Sequence, residues 1–182
     1  MQIITGKYRA RKLVSVDSAG TRPTLARVKE SVFNLIQSKI DGKVVLDLFA
    51  GSGAFGCECI SRNASSVYFV DAEPKAIKAI ETNTKNMKEE FKIIKNDYSS
   101  ALQTFSKQNI KFGLVYLDPP YKSDYAVKSL EKLAELNLLD REAIIVVEHE
   151  FQNDLQNIPD CYIIEKSKKY GIAYVDVLKF IK

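Results

Sequence analysis

The chain has one histidine and three cysteines in 182 residues, too few imidazole and thiolate ligands for an ordinary zinc site. Cys57 and Cys59 stand two apart, so on a helix they point to different faces, and Cys161 is remote. Buried free thiols and no bound metal are therefore expected. No stretch approaches eighteen consecutive apolar residues, and the opening MQIITGKYRARKL is basic with no apolar segment behind it. These absences argue against a membrane span and an export signal, and point to a soluble, cytoplasmic protein. Internal repeats and low-complexity linkers are also missing. What is present is a chain 46% apolar, enough to bury one good core. A single domain over 1–182 is expected, with 1–22 as a basic N-terminal extension and 23–182 as the main body.

The net charge of +4 is unevenly spread. Residues 1–30 carry seven basic side chains (Lys7, Arg9, Arg11, Lys12, Arg22, Arg27, Lys29) against Asp17 and Glu30, a balance of +5. The remaining 152 residues carry twenty basic against twenty-one acidic, a balance of −1. Positive charge concentrated at one end suits a polyanionic partner, although a solvated lysine-rich surface has the same composition.

Ile3-Ile4 and Leu13-Val14 flank the basic run and suggest a short hairpin or extended arm. Thr24 is a candidate helix cap, and Leu25, Val28, Val32, Leu35 and Ile36 follow at helical spacing until Asp41-Gly42. Beyond this, apolar runs alternate with amphipathic stretches. Strands are predicted over 44–49, 66–70, 91–95, 112–117, 143–148, 162–167 and 172–181, and helices over 53–62, 74–88, 98–107 and 124–136. This alternation implies an α/β, Rossmann-like sheet of seven mostly parallel strands with helices on both faces, closed by a C-terminal antiparallel hairpin. In such sheets ligands sit at the carboxyl ends of the strands, near the reversal of strand order.

The first strand runs into LDLFAGSGAFG. Gly51 to Gly56 match the dinucleotide fingerprint, with Asp71 twenty residues after Gly51. Electrostatics argues otherwise. Asp47, four residues before Gly51, is expected to face the same cleft, where it would repel a pyrophosphate and favour an ammonium or sulfonium group. A cationic ligand with a ribose for Asp71 is S-adenosylmethionine. The expected binding set is the loop Phe49, Ala50, Gly51, Ser52 and Gly53, then Asp71 and Ala72. Asn96, Asp97 and Tyr98 follow at the third strand end, with Asp97 for an adenine amine. The plainer alternatives are a strand-end cap for Asp47, the N-cap of the next helix for Asp97, and a first-turn acid beside Pro74 for Glu73.

LDPPY closes the fourth strand. Two prolines in succession remove amide donors and leave only carbonyls. An exocyclic amine on a nucleobase is a poor nucleophile, because its lone pair is delocalised into the ring. Asp118 and the Pro119 carbonyl supply two fixed acceptors for its N–H groups, Pro120 stiffens them, and Tyr121 offers a face for stacking an extruded base.

With these residues assembled, the chain resembles the bacterial 16S ribosomal RNA guanine-N2 methyltransferase family (RsmD type) nearly end to end. The likeness runs through IITGKYRARKL, TRPTLARVKESVFNLI, VLDLFAGSGAFGCECISRNASSVYFVD, LDPPY and YGIAYVDVLKF. LDPPY is shared by many base and protein-glutamine methyltransferases; the RPT-x-x-R-V-x-E helix with the basic opening is more specific. The resemblance implies methyl transfer from adenosylmethionine to N2 of one guanine, nucleotide 966 in the usual bacterial numbering. The implied partner is small-subunit rRNA or an assembling small ribosomal subunit, and a monomer is expected. It also implies that Thr24 and Arg27 lie near the methionine end of the cofactor. Lys7, Arg9, Arg11, Lys12 and Arg22, with Lys122 beside the motif, are the expected RNA contacts. Where relatives often carry further glycines in the opening segment, this chain has Thr5-Gly6 and Ala10.

Other readings stay open. An adenine-N6 methyltransferase acting on DNA would use Asp118, Pro119 and Tyr121 equally well, although 182 residues leave little room for a target-recognition domain. A protein-glutamine methyltransferase does not call for the basic opening. A non-catalytic RNA-binding protein with a vestigial cofactor fold, or a nucleotide-dependent oxidoreductase, would differ in turnover or in which ligand shifts the melting temperature. His149, in VEHE, borders the base pocket or ends its strand facing solvent.

Overall fold

The computed structural model describes residues 1–16, 23–120, 124–150, 155 and 157–182, with the side chains of 23–27 and 150 excepted. Seven strands form one sheet in the order β3-β2-β1-β4-β5-β7-β6. They are β1 (Val44–Asp47), β2 (Ser66–Asp71), β3 (Phe91–Lys95), β4 (Phe112–Leu117), β5 (Leu139–Glu150), β6 (Tyr162–Tyr170) and β7 (Ala173–Phe180). The helices are α1 (Pro23–Ile36), α2 (Ala54–Ser61), α3 (Pro74–Thr84), α4 (Tyr98–Lys107) and α5 (Tyr125–Glu135). β1 to β5 pair in parallel, whereas β7 enters antiparallel between β5 and β6. This is the expected α/β architecture, C-terminal hairpin included.

β1 pairs with β2 on one side and β4 on the other. The chain therefore reverses its direction of travel across the sheet there, and the loops after β1 and β4 part to leave a crevice. Each face buries its own core. Val32 and Phe33 of α1, Phe55 and Ile60 of α2 and Ile80 of α3 cover Val45, Val67, Leu114 and Val146. Leu102 and Phe105 of α4 with Leu130 and Leu133 of α5 cover Leu46, Val115 and Val147. Alternate residues of one strand thus serve opposite faces, as the pleat requires.

The N-terminal segment packs against α2 and the core of this sheet. Gln2 and Lys12 bridge antiparallel, and Ile3 and Leu13 are buried in the α1–α3 core. Its amides are held by α2: Ile4 and Thr5 donate to the two oxygens of Glu58, Tyr8 to Ser61 Oγ and Lys7 to the Ser61 carbonyl. Glu58 is wholly buried and also takes Lys29 of α1 and Arg62, so one carboxylate ties three segments together.

Several boundaries differ from the sequence reading. Thr24 does not cap α1, which already begins at Pro23, a residue suited to the first turn. β1 stops at Asp47, because Leu48 and Phe49 turn into the glycine loop. α3 ends at Thr84, where Lys85 is extended and Asn86 has φ 69°. β5 begins at Leu139 and passes an irregularity at Glu142 (φ 61°) before the predicted start at 143.

Candidate active site

Two cavities meet at the carboxyl edge of the sheet and share Phe49, Gly51 and Asp118. The larger, about 660 Å³, lies over the ends of β1, β2 and β3 and reaches Asp118, Pro119 and Pro120. The smaller, about 200 Å³, lies under α1, bounded by Lys29, Phe33, Ala50, Ser52, Tyr116 and Glu148 among others.

The glycine loop owes its shape to close packing. Gly51 and Gly53 have φ 53° and 72°, a region that side chains disfavour. A Cβ on Gly51 would meet nothing within 4 Å, because this position opens onto both cavities. A Cβ on Gly56 would stand 2.2 Å from the Phe69 ring, so that glycine lets α2 lie against β2. Buried Asn83 donates to the Ser52 carbonyl and holds the loop from below.

Asp71, at the end of β2, accepts the Gly51 amide at 2.8 Å and the Glu73 amide at 2.9 Å. Both carboxylate oxygens are thereby oriented at the rim of the larger cavity with lone pairs to spare. Ala72, Asn96, Asp97 and Tyr98 line the same cavity. Asp97 is also the N-cap of α4, its Oδ1 accepting the Ser100 amide at 3.0 Å. That contact holds its carboxyl below the usual carboxylate range, through hydrogen bonds to Ser100. Both sequence readings of Asp97 are thus compatible. Phe49, Tyr98 and Tyr125 form an aromatic group with centroids 5.1–6.3 Å apart. Tyr125 and Glu73 also line the cavity; sequence reading passed over the first and took the second for a helix-end acid.

Asp47 departs from expectation. It is 1% exposed and lies beneath the loop rather than on either cavity wall. Its Oδ2 accepts the Gly56 amide at 3.0 Å, while Oδ1 has no hydrogen-bond partner among the described residues. Burial raises its pKa to about 7, against the Gly56 contact and with a small push from Asp71. Gly53 likewise lines neither cavity; it opens α2 and packs against Ile80 and Phe69.

Asp118 stands where the two cavities join. Desolvation by the cleft walls, reinforced by Glu148 and Asp47, pushes its carboxyl well above the usual range. Glu148 is buried and accepts the Tyr116 hydroxyl at 2.5 Å, and burial raises its pKa too. The Tyr116 ring stacks on Phe55 at 4.0 Å. Glu148, Tyr116 and Lys29 were not anticipated. His149 neither borders the pocket nor faces solvent: it is 5% exposed, and its Nε2 pairs with Asp176 Oδ2 at 2.8 Å.

Arg22, Tyr121 and Lys122 lie outside the described residues, as do the side chains of Thr24 and Arg27. In the basic opening, Lys7 pairs with Glu89, and Arg11 donates to the Lys85 carbonyl beside the Tyr8 ring. Arg9 and Lys12 are exposed. Cys57, Cys59 and Cys161 are buried free thiols, and burial pushes Cys57 up to about 12. Among the described residues, no helix is long and apolar enough to cross a membrane, and no acidic, cysteine or histidine cluster could hold a metal.

A family model described as conserved hypothetical protein 95 matches residues 1–179. Ribosomal RNA small subunit methyltransferase D of Haemophilus influenzae is 35% identical over 95% of this chain and 90% of its own length. The protein of the same name from Escherichia coli K12 is 32% identical over 96% and 87%. Among solved structures, yhhF from Escherichia coli superposes with a TM-score of 0.87 at 27% identity, covering 100% of this chain and 98% of that one. The chain belongs to the conserved hypothetical protein 95 family, that of the adenosylmethionine-dependent small-subunit rRNA methyltransferases D.

Proposed function

We propose that this protein methylates the exocyclic N2 amine of one guanine in small-subunit rRNA, the nucleotide implied by the family resemblance. It would act as a cytoplasmic monomer on the rRNA or on an assembling subunit. The observation that carries the reading is the position of Asp118, the acceptor-bearing end of β4, where a nucleoside-sized cavity meets a second, smaller one.

The residues fit adenosylmethionine. Asp71 suits the ribose hydroxyls, Asn96 and Asp97 the adenine edge, and Phe49 and Tyr98 its faces, all on the larger cavity. Ala50, Gly51, Ser52 and the cation Lys29 suit the amino-acid end in the smaller one, with Thr24 and Arg27 added by resemblance. Asp47 acts from beneath the loop: its unpaired oxygen and buried charge favour a cationic ligand over a pyrophosphate. When bound, the cofactor supplies an electrophilic methyl on sulfonium.

The chain's own part is to hold and deprotonate the amine. The Asp118 carboxylate and the Pro119 carbonyl accept its two N–H groups, so the lone pair is turned out of the ring as the N–C bond forms. Asp118, raised above the ordinary carboxylate range, is suited to take the released proton. Pro120 keeps the turn rigid, and Tyr121 stacks on the base. Arg9, Lys12, Arg22 and Lys122, together with Lys7 and Arg11, bind phosphates.

The test is to incubate the protein with labelled adenosylmethionine and small-subunit particles from cells lacking this gene, then to map the modified nucleotide. A single N2-methylguanine supports the reading. Label on adenine-N6 or on protein, or binding without turnover, sinks it.

A further inference from the structure

Asp118 and Pro119 recognise an exocyclic amine, and adenine, cytosine and guanine all have one. Nothing in that pair selects guanine. The edge of guanine that bears N2 has a second donor, the ring N1–H, where adenine and 2-aminopurine present an acceptor. A site specific for guanine therefore needs a further acceptor beside Asp118, on the side away from the adenosine cavity.

β5 supplies one. The registers Leu114↔Ile144 and Tyr116↔Val146 bring these side chains together on the α1–α3 face of the sheet. One pleat further on, Asp118 and Glu148 come level, and both line the smaller cavity. In the strand order the larger cavity lies over β1, β2 and β3, whereas Glu148 lies beyond β4. Across the sheet the sequence is thus the larger cavity, which takes the adenosine part of the cofactor, then Asp118, then Glu148 on the smaller cavity, which the base edge would share with the cofactor's amino-acid end. An amine held at Asp118 would turn the rest of its edge toward Glu148.

We infer that Glu148 is the specificity residue of this site, accepting the N1–H of the target guanine while Asp118 holds N2. The assignment rests on the guanine-N2 reading and adds to it the group that tells guanine from other purines. Tyr116 is a positioning residue. Its hydroxyl donates to Glu148 Oε1 at 2.5 Å, and its ring is fixed against Phe55 at 4.0 Å. Oε2 carries no hydrogen bond among the described residues and remains as the acceptor. A carboxylate also increases electron density at N2 as it draws the N1 proton toward itself, so recognition and activation coincide. Against adenine or 2-aminopurine the same oxygen would meet a ring lone pair, which disfavours the wrong base.

Two plainer roles compete with this one. Glu148 could serve only to anchor Tyr116, or its charge could hold the ammonium of the cofactor. Both differ from base reading in what they leave unchanged.

The experiment compares small-subunit RNA carrying, at the modified position, either guanine or 2-aminopurine, which keeps the amine but lacks N1–H. Single-turnover methylation is measured at saturating cofactor for wild type, Glu148→Gln and Tyr116→Phe, with adenosylmethionine affinity and melting temperature measured in parallel. Wild type is expected to favour guanine by about a hundredfold or more, as a site built around a substrate donor should. In Glu148→Gln this ratio should fall at least about tenfold, because the amide NH2 can donate to the bare N1. Cofactor affinity should stay within about threefold. If Glu148→Gln is too slow to measure, Tyr116→Phe carries the comparison, with a severalfold fall expected. An unchanged ratio in the measurable variant overturns the assignment, as does wild-type use of 2-aminopurine at the guanine rate. Loss of cofactor affinity in Glu148→Gln also overturns it and gives the carboxylate to the ammonium. Wild type that leaves guanine N2 unmethylated fails the underlying reading instead, a separate and visible result.

Discussion

Asp71 Oδ2 accepts the amide of Gly51 at 2.8 Å, so the acid that ends β2 also fixes the loop that follows β1. Ligand and scaffold therefore compete for one side chain, and its removal should damage both. Asp71→Ala is expected to lower adenosylmethionine affinity by about a hundredfold, since two charge-assisted contacts to ribose are lost. Stability should fall by about 1–3 kcal/mol as the Gly51 and Glu73 amides lose their acceptor. Asp71→Asn keeps one acceptor oxygen and should recover most of the stability but little of the affinity. Calorimetry and thermal melts on the two variants separate these contributions; equal affinity in wild type and Asp71→Ala removes Asp71 from the ribose site.

Asp47 makes a prediction about pH. Its folded-state pKa, about 7, lies above the ordinary value of 3.8. The folded state thus binds the proton more tightly than the unfolded one. Its contribution is fully present below about pH 3.8 and is lost as pH rises to about 7. Asp47→Asn removes this dependence while leaving an oxygen for the Gly56 amide. Without cofactor, the variant should gain on wild type between pH 5 and pH 8, by on the order of 2–4 kcal/mol at the limit. In wild type, cofactor affinity should rise across the same window as the carboxylate ionises, and in the variant it should not. A flat wild-type affinity would remove Asp47 from cofactor binding and leave it a structural group.

The regular parts of this fold were legible because their patterns were unmixed. β3, β4 and α4 fall on the expected residues, since each is an unbroken apolar or amphipathic run with clear ends. β5 was read short because Asp140-Arg141-Glu142 looks like a loop, and only the backbone turn at Glu142 lets the strand continue through it. The strand-end acids were found by position, yet position does not give direction. Asp47 and Asp71 both close strands, but one is sealed under the glycine loop and the other sits at its rim. Glu148 escaped because its meaning depends on Tyr116, thirty-two residues earlier and on the neighbouring strand. For the same reason neither placement expected of His149 holds, its partner Asp176 being on β7.

The opening segment carries an alanine at a position where the backbone favours glycine. Ala10 has φ 67°, so Ala10→Gly should stabilise by about 0.5–1 kcal/mol, a shift of a few degrees in melting temperature. Gly6 is the opposite case. A Cβ there would stand 1.8 Å from the Ser61 carbonyl oxygen, at φ 88°. Gly6→Ala should lift the arm from α2 and cost on the order of 2–4 kcal/mol. If Gly6→Ala melts like wild type, the arm is not held by that contact.

The same segment sorts its charges. Lys7 and Arg11 already serve Glu89 and the Lys85 carbonyl, whereas Arg9 and Lys12 are exposed. Replacing Arg9 and Lys12 with alanine should weaken RNA binding and reduce the slope of log affinity against log salt by nearly two, about 0.7–0.9 per lost phosphate contact. Replacing Lys7 should change the slope less. Cofactor affinity should survive in both. A double variant with unchanged slope would mean that this charge is solvated surface.

Asp118→Asn separates chemistry from binding. The amide keeps an oxygen for one N–H of the substrate but loses the charge that takes the proton, and it offers a donor where the amine needs an acceptor. Single-turnover methylation at saturating RNA should slow on the order of a hundredfold or more, with cofactor affinity nearly unchanged. The pH profile provides an independent check. Desolvation, with Glu148 and Asp47 nearby, raises the Asp118 pKa, and Glu148 is itself raised by burial. Both must be ionised to accept, so wild-type turnover should climb with pH along an acid limb whose midpoint lies above the usual carboxylate range. Tyr116 and Lys29, two titratable side chains on this cavity wall, do not account for that limb. The Tyr116 phenol is held well above its usual range, and the Lys29 ammonium, though lowered by burial, is paired with Glu58. Glu148→Gln removes one neighbouring charge from Asp118 and should move the limb to lower pH. Near-wild-type chemistry in Asp118→Asn, with the limb unmoved, would make the end of β4 scaffold and take the proposed acceptor site with it.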